Sequence, residues 1–127
     1  MITAKFAGNK KVNVEAEGFT VNVDLPKAMG GDDTAPNPFV LLMASLVSCS
    51  AIHLLGFIEK FGMKKEDFSL ELVPGLDDKG DMAKALVKVY VPADFPQEKE
   101  NLLKGVIDGC KVGKHLKTER SVEIIRK

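Results

Sequence analysis

The 127-residue chain has little of what marks a specialised scaffold. Its only two cysteines, Cys49 and Cys110, are too few for a disulfide framework, since small bridged domains use more and cytosolic thiols stay reduced. It also lacks net charge: eighteen basic residues balance eighteen acidic ones. No overall field therefore favours nucleic acid or anionic lipid, and neither is expected as a partner. No charged-then-apolar leader opens "MITAKFAGNKK" and no lipidation motif closes the chain, so a cytoplasmic location is expected. "GGDD" lacks the Walker lysine spacing, "GLDDKGD" lacks the ligand spacing of a calcium loop, and there is no CxxC pair. No internal repeat, linker or low-complexity stretch divides the sequence. One domain, 1–127, with its own core is expected.

What is present is periodic. Ile2, Ala4 and Phe6, then Val12, Val14 and Ala16, then Phe19, Val21, Val23 and Leu25 alternate with polar residues, which predicts a three-stranded meander with one wet face. After a loop turning on Gly30 and Gly31, Asn37 is a natural N-cap and Pro38 a natural first helical residue. The helix is expected to run to about Lys60 and to stop at Gly62. Phe68, Leu70 and Leu72 predict a further strand, and Val87, Val89 and Val91 its partner. Leu102, Leu103, Val106 and Ile107 give a second helix its apolar face. "KVGKHLK" reads as a loop or short helical turn, and Val122, Ile124 and Ile125 as a last strand. The fold class is α+β, an antiparallel sheet with two core helices in the order βββαββαβ.

"PFVLLMASLVSCSAIHLLGF", Pro38 to Phe57, carries no formal charge. It is long enough to cross a bilayer, but its serines, its histidine and the amphipathic segments around it favour a protein core over a membrane span. One sheet and one short helix could hardly bury it, so a partner subunit is expected.

Ser45, Cys49 and His53 are spaced by four and stack along one side of that helix. Cys110 lies four after Val106 and seven after Leu103, and so points where the second helix's apolar face points. Three readings compete. Each cysteine could be ordinary buried filler, since free Cys is among the most buried residue types. The two could be a redox pair, in which a thiolate attacks peroxide and a second thiol condenses with the sulfenic acid. Or Cys49-x3-His53 and Cys110-x4-His115 could supply a Cys2His2 set for zinc. Cys49 sits too deep in its helix for the helix dipole to lower its pKa much. The side chains of His53, Lys111, Lys114 and His115 are the candidates for activating it.

"GGDDTAPNPFVLLMASLVSCSAIHL", followed some way on by "DGCKVGKHL", resembles the OsmC/Ohr family (osmotically inducible protein C and organic hydroperoxide resistance protein). In that family a glycine- and proline-bearing loop leads into a long central helix with the first cysteine, and a second helix ends on the other. The βββαββαβ order agrees. The resemblance implies an intertwined homodimer and a thiol-dependent peroxidase reducing organic hydroperoxides, with Cys49 peroxidatic, Cys110 resolving and a dithiol as reductant. His53, Lys114 and His115 would support the thiolate, and no cofactor or metal is implied. The sequence departs from the classical pattern at Phe39, where the family has a glutamate. It also departs in having only Arg120 and Arg126, where the family uses an N-terminal arginine, and in "CKVG", where proline commonly follows the cysteine. The alternative is a non-peroxidatic binding or redox-sensing protein with an apolar pocket at Phe39, Met43 and Ser45, holding a small thiol or acyl compound.

Overall fold

The computed structural model describes residues 1–116, 119–121 and 123–126. The protein is α+β, with antiparallel strands β1 (Ile2–Phe6), β2 (Val12–Ala16) and β3 (Phe19–Val23), then helix α1 (Pro38–Lys60). Strands β4 (Ser69–Leu76) and β5 (Met82–Tyr90) and helices α2 (Glu100–Asp108) and α3 (Lys111–Lys114) follow. The chain divides into two compact units, Met1–Ala44 and Ser45–Lys127. Its strands form two sheets, β1-β2-β3 and β4-β5, where the alternation predicted one. Period-two patterning tells which residues share a face but not which edges pair. Val122 lies outside the described residues. Ile124 and Ile125, expected beside it in a last strand, are exposed and belong to no strand. Two apolar residues between Glu123 and Arg126 are too short an alternation to specify a strand without a paired edge.

In the first unit the register places Ile2 opposite Ala16, Ala4 opposite Val14 and Phe6 opposite Val12. It then places Ala16 opposite Phe19, Val14 opposite Val21 and Val12 opposite Val23. Directly opposed residues share a face, so nine apolar side chains line one side of the meander. Much of that face is open, with Phe6 96% and Phe19 73% exposed.

The loop after β3 is organised by Asp24, which is fully buried. Its carboxylate accepts hydrogen bonds from the Leu25 N–H at 2.7 Å, the Thr34 N–H at 3.1 Å, the Thr34 hydroxyl at 2.7 Å and the Asp32 N–H at 3.5 Å. Asp32 in turn accepts from Lys11 Nζ at 2.7 Å and Asn9 Nδ2 at 3.2 Å. The aspartates of "GGDD" therefore include one that fastens its loop to the β1–β2 turn. Gly31 is required here because a Cβ would overlap the Leu25 carbonyl. The Thr34 hydroxyl, with the backbone donors, lowers the Asp24 pKa to about 2. A carboxylate depressed in the folded state stabilises above the unfolded-state pKa, and that contribution is lost as pH falls through the folded value. Asp24→Asn is thus expected to lower the thermal midpoint at neutral pH, with the gap to the parent protein closing as pH falls toward about 2. Thermal melts across that range check it.

α1 starts and stops as its sequence predicts. The Asn37 side chain accepts from the Val40 N–H at 2.9 Å, and Pro38 occupies the first helical position, where no N–H is needed. At the other end Gly62 takes φ +64° and the Met63 N–H reaches back to the Ile58 carbonyl at 3.0 Å, closing the helix as a left-handed glycine does. Within the second unit Leu54, Phe57 and Ile58 of α1 form the core with Leu103 of α2. Phe61, Phe68, Phe95 and Val89 pack around them, the Phe68 and Phe95 rings edge to face with centroids 6.0 Å apart. Each such buried side chain stabilises by about 1.5–3 kcal/mol, and this packing fixes α1 against α2 close to both cysteines. The helix is less buried than expected: only Leu46, Ser50, Leu54, Phe57 and Ile58 are fully covered, and Ile52 is 67% exposed.

Candidate functional site

Cys49 lies on α1 next to the buried stripe of Leu46, Ser50 and Leu54, and is half-buried. The stripe is apolar enough to hold the helix in place, and Ser50 satisfies its own hydroxyl by donating to the Leu46 carbonyl at 3.1 Å. Cys110 is buried, but it does not end α2 as the seven-residue spacing predicted. α2 stops at Asp108, Gly109 caps it, and Cys110 then takes an extended conformation (φ −52°, ψ 120°) as the residue that opens α3. Gly109 (φ −72°, ψ 3°) ends α2, and the chain changes direction at Cys110. The Cys110 thiol is thereby set at the head of a short turn whose first N–H groups have no helical partners.

The two thiols are neighbours there. The Cys110 thiol, then the backbone N–H groups of Val112 and Lys111, favour the charged form of Cys49. Both thiols are free. These contacts, the Cys110 thiol first, hold the Cys49 pKa below the ordinary thiol range against the upward push of partial burial, because hydrogen bonds to the charged form favour it. A thiol so placed has more thiolate, the form that acts as nucleophile.

The side chains expected to activate Cys49 are not among the causes of its lowered pKa. His53 is half-buried and lines a groove of about 390 Å³ between α1 and α2 with Phe57, Lys60 and Val106. Lys114 and His115 are exposed on and just after α3, and Lys111 contributes its backbone rather than its ammonium. Ser45 is exposed; its carbonyl accepts from the Ser48 hydroxyl at 3.0 Å. Phe39 is exposed and Met43 half-buried in the first unit. The Cys2His2 alternative is not assembled: among the described residues no three His, Cys, Asp or Glu side chains come together as metal ligands. Asp77 instead makes turn bonds to the Lys79 and Asp81 N–H groups, both at 2.9 Å.

A larger groove, of about 640 Å³, lies between β5 and α2. Ala85, Val87 and Val89 form one wall, Leu103 and Ile107 the other, and Cys110 is part of its lining. Glu100, Lys104 and Asp108, spaced by four along α2, supply its charged groups. Cys49 lines neither groove.

Two neighbouring thiols, one carried by a long central helix and one opening a short turn after the second helix, repeat the arrangement behind the sequence resemblance. The profile of OsmC-like proteins matches residues 30–125. The chain belongs to the OsmC-like family. Among solved structures, this OsmC-like chain is similar to an osmotic stress induced and detoxification response protein from Psychrobacter arcticus. That match has a TM-score of 0.76 at 14% identity and covers 92% of this chain and 88% of the other. An organic hydroperoxide resistance protein from Elizabethkingia anophelis aligns with a TM-score of 0.59 at 20% identity, over 93% and 89% of the two chains. One from Legionella pneumophila aligns with 0.57 at 19%, over 93% and 90%. At these identities the likeness is one of fold. The protein YmaD of Bacillus subtilis is 28% identical over 72 residues, 55% of this chain. The matched stretch spans about half the length of that relative, 48%.

The family's arginine and glutamate are not what surrounds Cys49 in this OsmC-like chain. The backbone N–H groups of Val112 and Lys111 were missed in the sequence because a main-chain donor has no residue-type signature. The available signal was the glycine before Cys110, which marks the end of α2.

Proposed function

We propose that the protein is a thiol-dependent peroxidase that reduces organic hydroperoxides. Cys49 thiolate attacks the terminal oxygen of the O–O bond, becomes a sulfenic acid and releases the alkoxide, which leaves as the alcohol. Cys110 then attacks the Cys49 sulfur, expels the hydroxyl as water and closes an intramolecular disulfide, which a dithiol returns to two thiols. The observation that carries this reading is that the Cys110 thiol and two backbone N–H groups lie close enough to Cys49 to favour its thiolate. It supplies both a depressed thiol pKa and a resolving partner at one place. Support also comes from family membership and from structural neighbours named organic hydroperoxide resistance proteins. The preference for organic hydroperoxides over hydrogen peroxide is what the family resemblance implies.

The test is consumption of cumene hydroperoxide with dihydrolipoamide as reductant. Turnover beyond the uncatalysed rate is expected, and faster than with hydrogen peroxide. Absence of turnover beyond the uncatalysed rate would remove the peroxidase and leave the binding or redox-sensing alternative.

The assembly proposed is a homodimer in the reducing cytoplasm. Its support is the unpartnered apolar face of the β1-β2-β3 sheet together with the exposed apolar residues of α1, such as Leu42 and Ile52. α1 is long and apolar enough to cross a membrane, but three of its residues are built into the packed core of the second unit. A second copy therefore accounts for the exposed surface better than lipid. Light scattering is expected to return twice the chain mass without detergent; a monomer, or recovery only with lipid or detergent, would refute it.

A further inference from the structure

The groove between α1 and α2 has no part in the thiol chemistry. It encloses about 390 Å³, and every residue that lines it belongs to the second unit. Phe57 on α1 and Phe61 just after it, their ring centroids 4.7 Å apart, lie across from Leu102 and Val106 on α2. Gly56 also lines the groove. A glycine inside a helix costs stability relative to alanine, yet here φ is helical and an added Cβ would meet nothing within 4 Å. No turn or close approach requires this glycine, and the space a side chain would take is left to the groove.

The charged groups at the groove are basic. Among the described residues no acid lines it, whereas Lys60 does, its ammonium 5.6 Å from the Phe61 ring centroid. Lys99, the residue before α2, brings a second ammonium to 4.3 Å from the same centroid. The only ion pair among the described residues is Lys11–Asp32, so Glu59 and Glu98, next to the two lysines in sequence, neutralise neither. We propose that this groove binds a short alkyl carboxylate, its head between the Lys60 and Lys99 ammoniums at the Phe61 ring and its chain along Phe57, Leu102 and Val106. Two helical turns separate Lys60 from His53 at the other end, about 10 Å, a span that an alkyl chain of roughly eight carbons fills. The chain gains burial against apolar walls, and the head meets two cations that no acid offsets. An alkylammonium meets repulsion at that end, and an alcohol has no charge to pair there. Ile52, at the rim, also belongs to the surface assigned above to a second copy, so binding is to be measured on the assembled protein.

Titration calorimetry of the reduced, assembled protein with octanoate tests the proposal. One octanoate per chain is expected, with octanol and octylamine each bound at least about fivefold more weakly, the effect of two exposed charge pairs. Octanol bound as tightly as octanoate would overturn the proposal. Absence of saturable octanoate binding, as when a second copy fills the groove, would overturn it too. Lys60→Gln combined with Lys99→Gln is expected to weaken octanoate by at least about fivefold, for the same reason. Gly56→Leu places a side chain in open space and adds a better helix former, so that variant should melt no lower than the parent protein. It is expected to weaken octanoate by at least about tenfold, because the leucine takes the room in which the alkyl chain is buried. Unchanged binding in both folded variants would overturn the proposal. Cys49→Ser and Cys110→Ser should bind octanoate as the parent does, and loss of binding in either would place the ligand at the thiols and overturn it. Octanoate bound as described, with no hydroperoxide turnover, would uphold this site and count against the peroxidase alone.

Discussion

Replacing Cys49 with serine is expected to abolish hydroperoxide consumption, lowering kcat/KM by at least about a thousandfold, because a serine hydroxyl without an adjacent base is a far poorer nucleophile than a thiolate. Replacing Cys110 separates two roles that the geometry joins. Cys110→Ser keeps an X–H donor facing Cys49 and should reduce the first equivalent of hydroperoxide at near the parent rate. It then accumulates a Cys49 sulfenic acid, which a dimedone adduct reports. Cys110→Ala removes the group that does most to depress the Cys49 pKa, so the first turnover itself should slow at neutral pH. If the serine and alanine variants oxidise at equal rates, the Cys110 contact does not tune the nucleophile.

The second large effect is expected from the backbone. Val112 is the second residue of α3, and the turn's own bonds run from the Lys114 N–H to the Cys110 carbonyl and from the His115 N–H to the Val112 carbonyl. Its N–H is therefore outside the turn's own bonds and favours the Cys49 thiolate. Val112→Pro deletes that donor, and hydrogen bonds to charged groups are the stronger kind, so the thiolate should be lost and peroxide attack slowed by about tenfold at neutral pH. The midpoint of the pH–alkylation profile of Cys49 should move upward, toward that of an ordinary thiol. Lys111→Pro is the matched control. Cys110 already has φ −52° and ψ 120°, the extended conformation a residue before proline prefers, and position 111 is the first of the turn, where proline fits. That variant should fold normally and slow the reaction less, since the Lys111 N–H is the weaker contributor. An unmoved alkylation profile in the folded Val112→Pro protein would refute main-chain activation.

Much of this architecture is legible in the sequence because it depends on side-chain type. Asn37, Pro38 and Gly62 mark the ends of α1 by the capping chemistry each performs. The alternation from Ile2 to Val23 places nine apolar residues on one sheet face, as the register shows. The positions of the two cysteines on apolar faces leave filler and pair both open, and only the family pattern implies the pair. What escaped the sequence depends on main-chain direction. Gly109 ends α2 one residue before Cys110, so the cysteine opens a new turn instead of closing the old helix. The groups that reach Cys49 are therefore amides rather than the imidazoles and ammoniums a sequence displays. The division of the strands into two sheets was likewise invisible, since alternation records faces and not partners.

The most direct test of the account uses the fully reduced protein, a single equivalent of cumene hydroperoxide and no added reductant. Intact mass and peptide mapping then follow both thiols. The account predicts that each hydroperoxide consumed removes two hydrogen atoms from one chain and joins the peptide of Cys49 to that of Cys110 in a disulfide. Hydroperoxide left intact with both thiols still free would contradict it.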